Sequence, residues 1–136
     1  MTQKERQDRS KEEICQAAME EFGTLGYDKV TMERICGNHG ISKGMMYHYY
    51  SNKDELFLLC VERTFTDLRK HVDRDMGELD EQEFLNATKN FFMIREYYFQ
   101  SHPREKAIFE EAMLHPPKHL VEQIQKLRGP IREVNR

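Results

Sequence analysis

Lys43, Gly44, Tyr47 and His48 are the residues in this chain best placed to do chemistry together. On a helix, at roughly 100° per residue, they fall within an arc of about 140° and share one face. That set suits a nucleic acid. A lysine ammonium can donate to guanine O6 and N7 or to a phosphate, and a missing side chain lets the backbone approach a groove. A tyrosine ring can rest on a thymine methyl while its hydroxyl donates to a phosphate. Met45 and Tyr49 fall outside the arc on helix geometry alone. Met46 points the opposite way and reads as a core residue.

The flanking residues form elements that would hold such a face outward. Thr31 can N-cap a short helix whose apolar side is Met32, Ile35 and Cys36. Gly40 supplies the φ > 0 conformation that ends a helix and turns the chain. Ile41 is then an inward anchor, and Ser42 caps the second helix. Two short helices joined by a tight turn make a helix-turn-helix. A bare pattern of this kind is packing as often as it is DNA-reading. The outward Lys43, Gly44, Tyr47 and His48, with Lys53 beyond them, favour DNA. Ser51 or Asn52 then caps a fourth helix, whose Asp54 and Glu55 suit its N-terminal dipole.

The rest of the chain reads as helix. Ser10 with Glu13 forms a capping box for a first helix through Ile14, Ala17, Ala18 and Phe22, which Gly26 ends. In the fourth helix Phe57, Val61, Phe65, Leu68 and Val72 step at helical spacing to about Met76, where Gly77 breaks it. A further helix carries Phe84, Leu85, Ala87, Phe91, Phe92 and Ile94 to about Tyr98. Ser101 and Pro103 open the next, Pro116 and Pro117 close it, and Leu120 to Leu127 form a last amphipathic segment before Gly129-Pro130. The expected fold is all-α. Residues 1–52 would be a three-helix helix-turn-helix domain for binding DNA, joined by the long helix to a helical regulatory domain, residues 53–136.

Composition narrows the classes. A hydrophobic share of 38% is too high for a disordered chain, and no apolar run reaches the roughly 20 residues of a membrane span. The charged N-terminus lacks the apolar core of a secretion signal, so a cytoplasmic protein is expected. Cys15, Cys36 and Cys60, each inside an expected helix, read as buried reduced thiols. Net charge is −3, and residues 1–53 carry eight basic and eight acidic side chains, so DNA contact must come from local placement of Arg34, Lys43 and Lys53. His115 and His119 have the i, i+4 spacing of zinc ligands, but Pro116 and Pro117 between them disfavour a continuous helix and no third ligand is evident. No nucleophile–base pair, phosphate-binding glycine loop or carboxylate dyad occurs, so neither an enzyme nor a cofactor is expected.

The residues from 10 to 60 resemble the tetracycline-repressor family of bacterial regulators. The resemblance lies in Ala17-Ala18 and Phe22, Gly26-Tyr27, Val30-Thr31, Ile35, and the run Gly40-Ile41-Ser42-Lys43-Gly44. It continues through Met46-Tyr47-His48-Tyr49-Tyr50, Lys53 and Glu55-Leu56-Phe57. It implies that Thr31 and Ser42 are phosphate-contacting caps, that Lys43 and Gly44 sit where bases are read, and that Tyr47, His48 and Tyr49 touch phosphate or thymine. Lys53 matches a phosphate clamp. Met45 departs from the small or polar residue common at its position; it could rest on a thymine methyl, leaving more of the readout to DNA shape. The resemblance further implies a homodimer on a pseudo-palindromic operator in double-stranded DNA, acting as a repressor, and a small-molecule effector. Members usually continue beyond Arg136 with helices that form the dimer, so the regulatory domain reads as incomplete at its C-terminus. Among the aromatics of residues 80–128, Tyr98 and Phe99, with Met113, are candidate effector-pocket residues. The competing reading is a shortened helical interaction module that pairs with a full-length regulator.

Overall fold

The computed structural model describes residues 1–76 and 87–134, with side chains for 1–74 and 91–128. Among these residues every regular element is helical. The elements are α1 (Gln3–Leu25), a 3-10 turn (Tyr27–Lys29), α2 (Met32–His39), α3 (Lys43–Tyr49), α4 (Lys53–Met76), α5 (Ala87–Gln100) and α6 (Pro103–Leu114). A second 3-10 turn (Lys118–Leu120) leads into α7 (Val121–Val134). Phe84 and Leu85 lie outside the described residues.

Two ends differ from the sequence reading. Helix α1 starts at Gln3, where the Thr2 hydroxyl accepts from the Glu5 amide, so Ser10 and Glu13 lie within the helix and form no capping box. The stretch Lys4–Lys11 is rich in good helix formers and needs no cap at Ser10. Helix α7 passes through Gly129-Pro130 to Val134. An interior proline removes one backbone hydrogen bond and crowds the carbonyl four residues back, a cost of about 3 kcal/mol that disfavours the helix there, yet its fixed φ is itself helical and the helix continues.

The core runs continuously from the helix-turn-helix into the later helices. Ile14, Ala18 and Phe22 of α1 meet Ile35, Met46, Phe57 and Val61, and the same cluster takes in Ile108 and Ala112 of α6 and Ile124 of α7. Phe22 and Phe57 meet edge to face with centroids 5.1 Å apart. Each of these side chains is 5% exposed or less, so burial fixes the helix-turn-helix onto α4 and α6 together. A second cluster lies further along α4, where Leu68 and Val72 pack with Tyr98 and Phe99 of α5. All three cysteines are buried and unbridged.

Candidate nucleic-acid interface

The turn that carries the exposed face of α3 is set by local hydrogen bonding. Thr31 Oγ1 accepts from the Arg34 amide at 3.0 Å, and Ser42 Oγ accepts from the Met45 amide at 3.0 Å, so both residues are helix caps. Between them Gly40 closes α2 at φ 64°, a left-handed conformation that costs glycine little. Asn52, not Ser51, caps α4: its Oδ1 accepts from the Glu55 amide at 3.0 Å, while the Glu55 carboxylate accepts from the Ser51 amide at 2.7 Å.

On α3 the arc expected from helix geometry is the exposed one. Lys43, Gly44, Tyr47 and His48 are exposed, Met46 is fully buried, and Met45 and Tyr49 are half-buried against the core. A Cβ built on Gly44 would meet nothing within 4 Å, so no packing inside the chain requires a glycine there. Tyr49 is wedged sideways, with the His48 ring 4.7 Å away and the Lys11 ammonium 5.6 Å from its centre. Thr31 and Ser42 are exposed beside this face.

The local cations are arranged unequally. Arg34 turns onto Glu21, Nε to Oε2 at 3.2 Å, and so serves the packing of α1 against α2. Lys53 is half-buried: its Nζ donates to the Tyr27 carbonyl at 2.9 Å and stands 4.0 Å from the Tyr27 ring centre. Lys43, the third, is exposed at the first turn of α3. Glu33 sits among them, its carboxylate accepting from the Tyr47 hydroxyl at 3.4 Å.

Sequence reasoning missed Glu21. Burial would push its carboxyl up, but hydrogen bonds from Asn38 (2.7 Å) and Arg34 outweigh that and hold it below the ordinary carboxylate range. His39 Nε2 lies 3.4 Å from the same group. A glutamate beside the expected core face of α1, one turn before that helix ends, was the available signal.

Residues 14–60 match the family model for bacterial regulatory proteins of the tetR family. Over that stretch, about a third of the chain, the sequence is that of the tetR family. Similar proteins include the HTH-type transcriptional repressor AcnR of Corynebacterium jeikeium, 41% identical over 63 residues, covering 46% of this chain and 32% of the relative. The HTH-type transcriptional regulator YhgD of Bacillus subtilis is 29% identical over 121 residues, 87% of this chain and 61% of the relative. The HTH-type transcriptional activator FasR of Mycolicibacterium smegmatis is 27% identical over 113 residues, 82% of this chain and 50% of the relative. The chain thus spans between about a third and three-fifths of the length of these relatives.

The three effector-pocket candidates do not line one cavity. Tyr98 borders an open cleft of about 620 Å³ between α4, α5 and α6, walled by Asp67, Lys70, His71, His102 and Arg104. The Tyr98 ring stacks on His102 at 3.9 Å, and burial pushes its hydroxyl up to about 12. Phe99 is buried behind it, and Met113 packs against the main core instead. Among the described residues no helix is long and apolar enough to cross a membrane.

Proposed function

We propose that this chain is the DNA-reading part, and some of the regulatory part, of a transcriptional repressor that binds a pseudo-palindromic operator as a homodimer. The division of labour follows the sequence: residues 1–52 read DNA, and residues 53–136 belong to the domain that senses an effector. The carrying observation is the exposed arc of Lys43, Gly44, Tyr47 and His48 on a helix whose opposite side is locked into the core by Met46. An outward polar arc on an inward-anchored short helix is the geometry of major-groove readers.

In this reading Lys43 donates to a base edge and Gly44 lets the helix backbone approach. Tyr47 and His48 contact thymine or phosphate, and Tyr49 and Met45 sit at the edge of the footprint. Thr31 and Ser42 offer exposed hydroxyls to phosphates, and Lys53, at the start of α4, clamps a further phosphate once its ammonium leaves Tyr27. A small-molecule effector, with the Tyr98 cleft as its candidate site, would shift α4 and change the separation of the paired recognition helices. DNA would then be released, because half-site spacing must match the duplex repeat. Light scattering followed by a mobility shift on the promoter region beside its gene tests the reading. A dimer that shifts that DNA and not random duplex supports it. A protein that shifts no DNA and pairs instead with a longer regulator overturns it in favour of the interaction module.

A further inference from the structure

Tyr27, in the 3-10 turn between α1 and α2, is gripped from both ends of the chain. Its backbone N–H donates to the two carboxylate oxygens of Glu111 on α6, at 3.1 and 3.3 Å. Its hydroxyl bonds to Asp54 on α4 and lies 3.2 Å from Nε2 of His119 in the second 3-10 turn. That same His119 nitrogen is 3.0 Å from the other Asp54 oxygen. The remaining features of Tyr27, its carbonyl and its ring, are both occupied by the Lys53 ammonium. A three-residue 3-10 turn has few bonds of its own, so these contacts set where Tyr27 sits.

Lys53 is thus turned inward in this structure, although it opens α4 beside the recognition helix. An ammonium that donates to a carbonyl and faces a ring has given up part of its capacity for a phosphate. The ring packs on Phe22 and Phe57 and the hydroxyl is shared with Asp54, while Glu111 and His119 add a hold on the amide and hydroxyl from 84 and 92 residues away. We propose that Tyr27 is the joint through which the later helices govern Lys53. While Glu111 and His119 hold Tyr27, it keeps the ammonium back; when α6 or the second 3-10 turn moves, the ammonium is released to a DNA phosphate. The proposal rests on the DNA-binding reading above. Glu111 and His119 are positioning residues in it, since they act on Lys53 through Tyr27. Coupling of this kind is reciprocal, so DNA that draws Lys53 away must also loosen the Glu111 and His119 contacts.

The test compares the full chain with Glu111→Leu/His119→Ala, each with and without Lys53→Ala, on one duplex across several salt concentrations. Thermal melts confirm that each protein is folded. In the released double variant the log–log salt slope should be steeper by about 1 per subunit, and Lys53→Ala should remove that gain while changing the parent slope little. Glu111→Gln keeps an acceptor for the Tyr27 amide and should behave as the parent. The same change on Lys53→Ala in both backgrounds would overturn the joint. His119 is exposed, so His119→Ala alone supplies the comparison if the double variant does not fold. A DNA-free readout separates this proposal from the one beneath it: amine acylation of Lys53, read by mass spectrometry against exposed Lys43, should rise several-fold in the released variant. If the parent binds no DNA, the functional reading falls, and an unchanged acylation ratio would then overturn the joint by itself.

Discussion

Gly23 on α1 and Arg104 on α6 are in such close contact that no side chain fits between them. A Cβ built on Gly23 would stand 2.8 Å from Arg104 Cγ and 2.9 Å from the Arg104 carbonyl oxygen. The side-chain atoms could swing aside, but the carbonyl belongs to the first turn of α6. This glycine therefore sets how closely α6 docks on the helix-turn-helix. Arg104 reinforces the dock by reaching back to Gln16 at 2.6 Å. Gly23→Ala should lower stability by about 1–3 kcal/mol through overpacking, despite alanine's better helix propensity. Urea unfolding measures it, and an unchanged or raised midpoint would show that α6 can retreat freely.

Glu21 makes a second, acid-sensitive bond between α1 and the helix-turn-helix. Its carboxyl is held below the ordinary 4.5, so the ionised form is favoured in the fold. Stability from this group is present above that ordinary value and is lost as pH falls through the lower, folded one. Glu21→Ala should cost about 0.5–1.5 kcal/mol at neutral pH, because the bonds from Asn38 and Arg34 are lost and these exposed partners return to water. Glu21→Gln should flatten the acid limb of the stability profile. Urea midpoints collected at neutral and acidic pH check both, and parallel profiles for parent and variant would remove Glu21 from the account.

Tyr27 gives the opposite pH signature. Burial, then the neighbouring Asp54 carboxylate, pushes its hydroxyl from 10 up to about 12. Between those values the unfolded chain loses this proton before the folded one does. Stability from this group is therefore full below 10 and lost as pH rises toward 12. Tyr27→Phe should shallow the alkaline fall in stability, leaving the share due to Tyr98, whose hydroxyl is raised similarly. Chemical denaturation across that range reads the difference. An identical alkaline slope in Tyr27→Phe would contradict the assignment.

Gly44 should be indifferent to the fold and intolerant in function. Space around its Cβ is open, so Gly44→Leu is expected to fold with unchanged or slightly higher stability. A leucine on the exposed arc would hold the α3 backbone off the groove floor, and operator affinity should fall at least tenfold. Full affinity in a normally folded Gly44→Leu protein would rule out close backbone approach.

What the sequence made legible was local. The caps Thr31 and Ser42, the left-handed Gly40, the inward Met46 and the stripe from Phe57 to Val72 all depend on neighbours within about two turns, and periodicity captures such relations. The start of α1 was misread for the same reason: Ser10 and Glu13 carry a capping spacing that also occurs inside helices. The long-range bonds left no trace in the pattern. Tyr27 to Glu111 spans 84 residues, and neither a tyrosine after a helix nor a glutamate on α6 names its partner. Lys53 shows the consequence. Its position at the start of α4 was plain from sequence, whereas its inward turn depends on those distant contacts.

If α3 reads bases, Lys43 is the residue whose loss shows it most sharply. This lysine is exposed at the first turn of α3 and opens the outward arc. Base contacts carry specificity while phosphate contacts do not. Lys43→Ala should therefore cost about 1–3 kcal/mol of discrimination between operator and random duplex, with a smaller loss on random DNA. Paired titrations of parent and variant on both duplexes, at one salt concentration, measure this directly. The ratio of the two affinities should narrow in the variant. An unchanged ratio, with both affinities reduced alike, would place Lys43 on the phosphate backbone and contradict base reading by this residue.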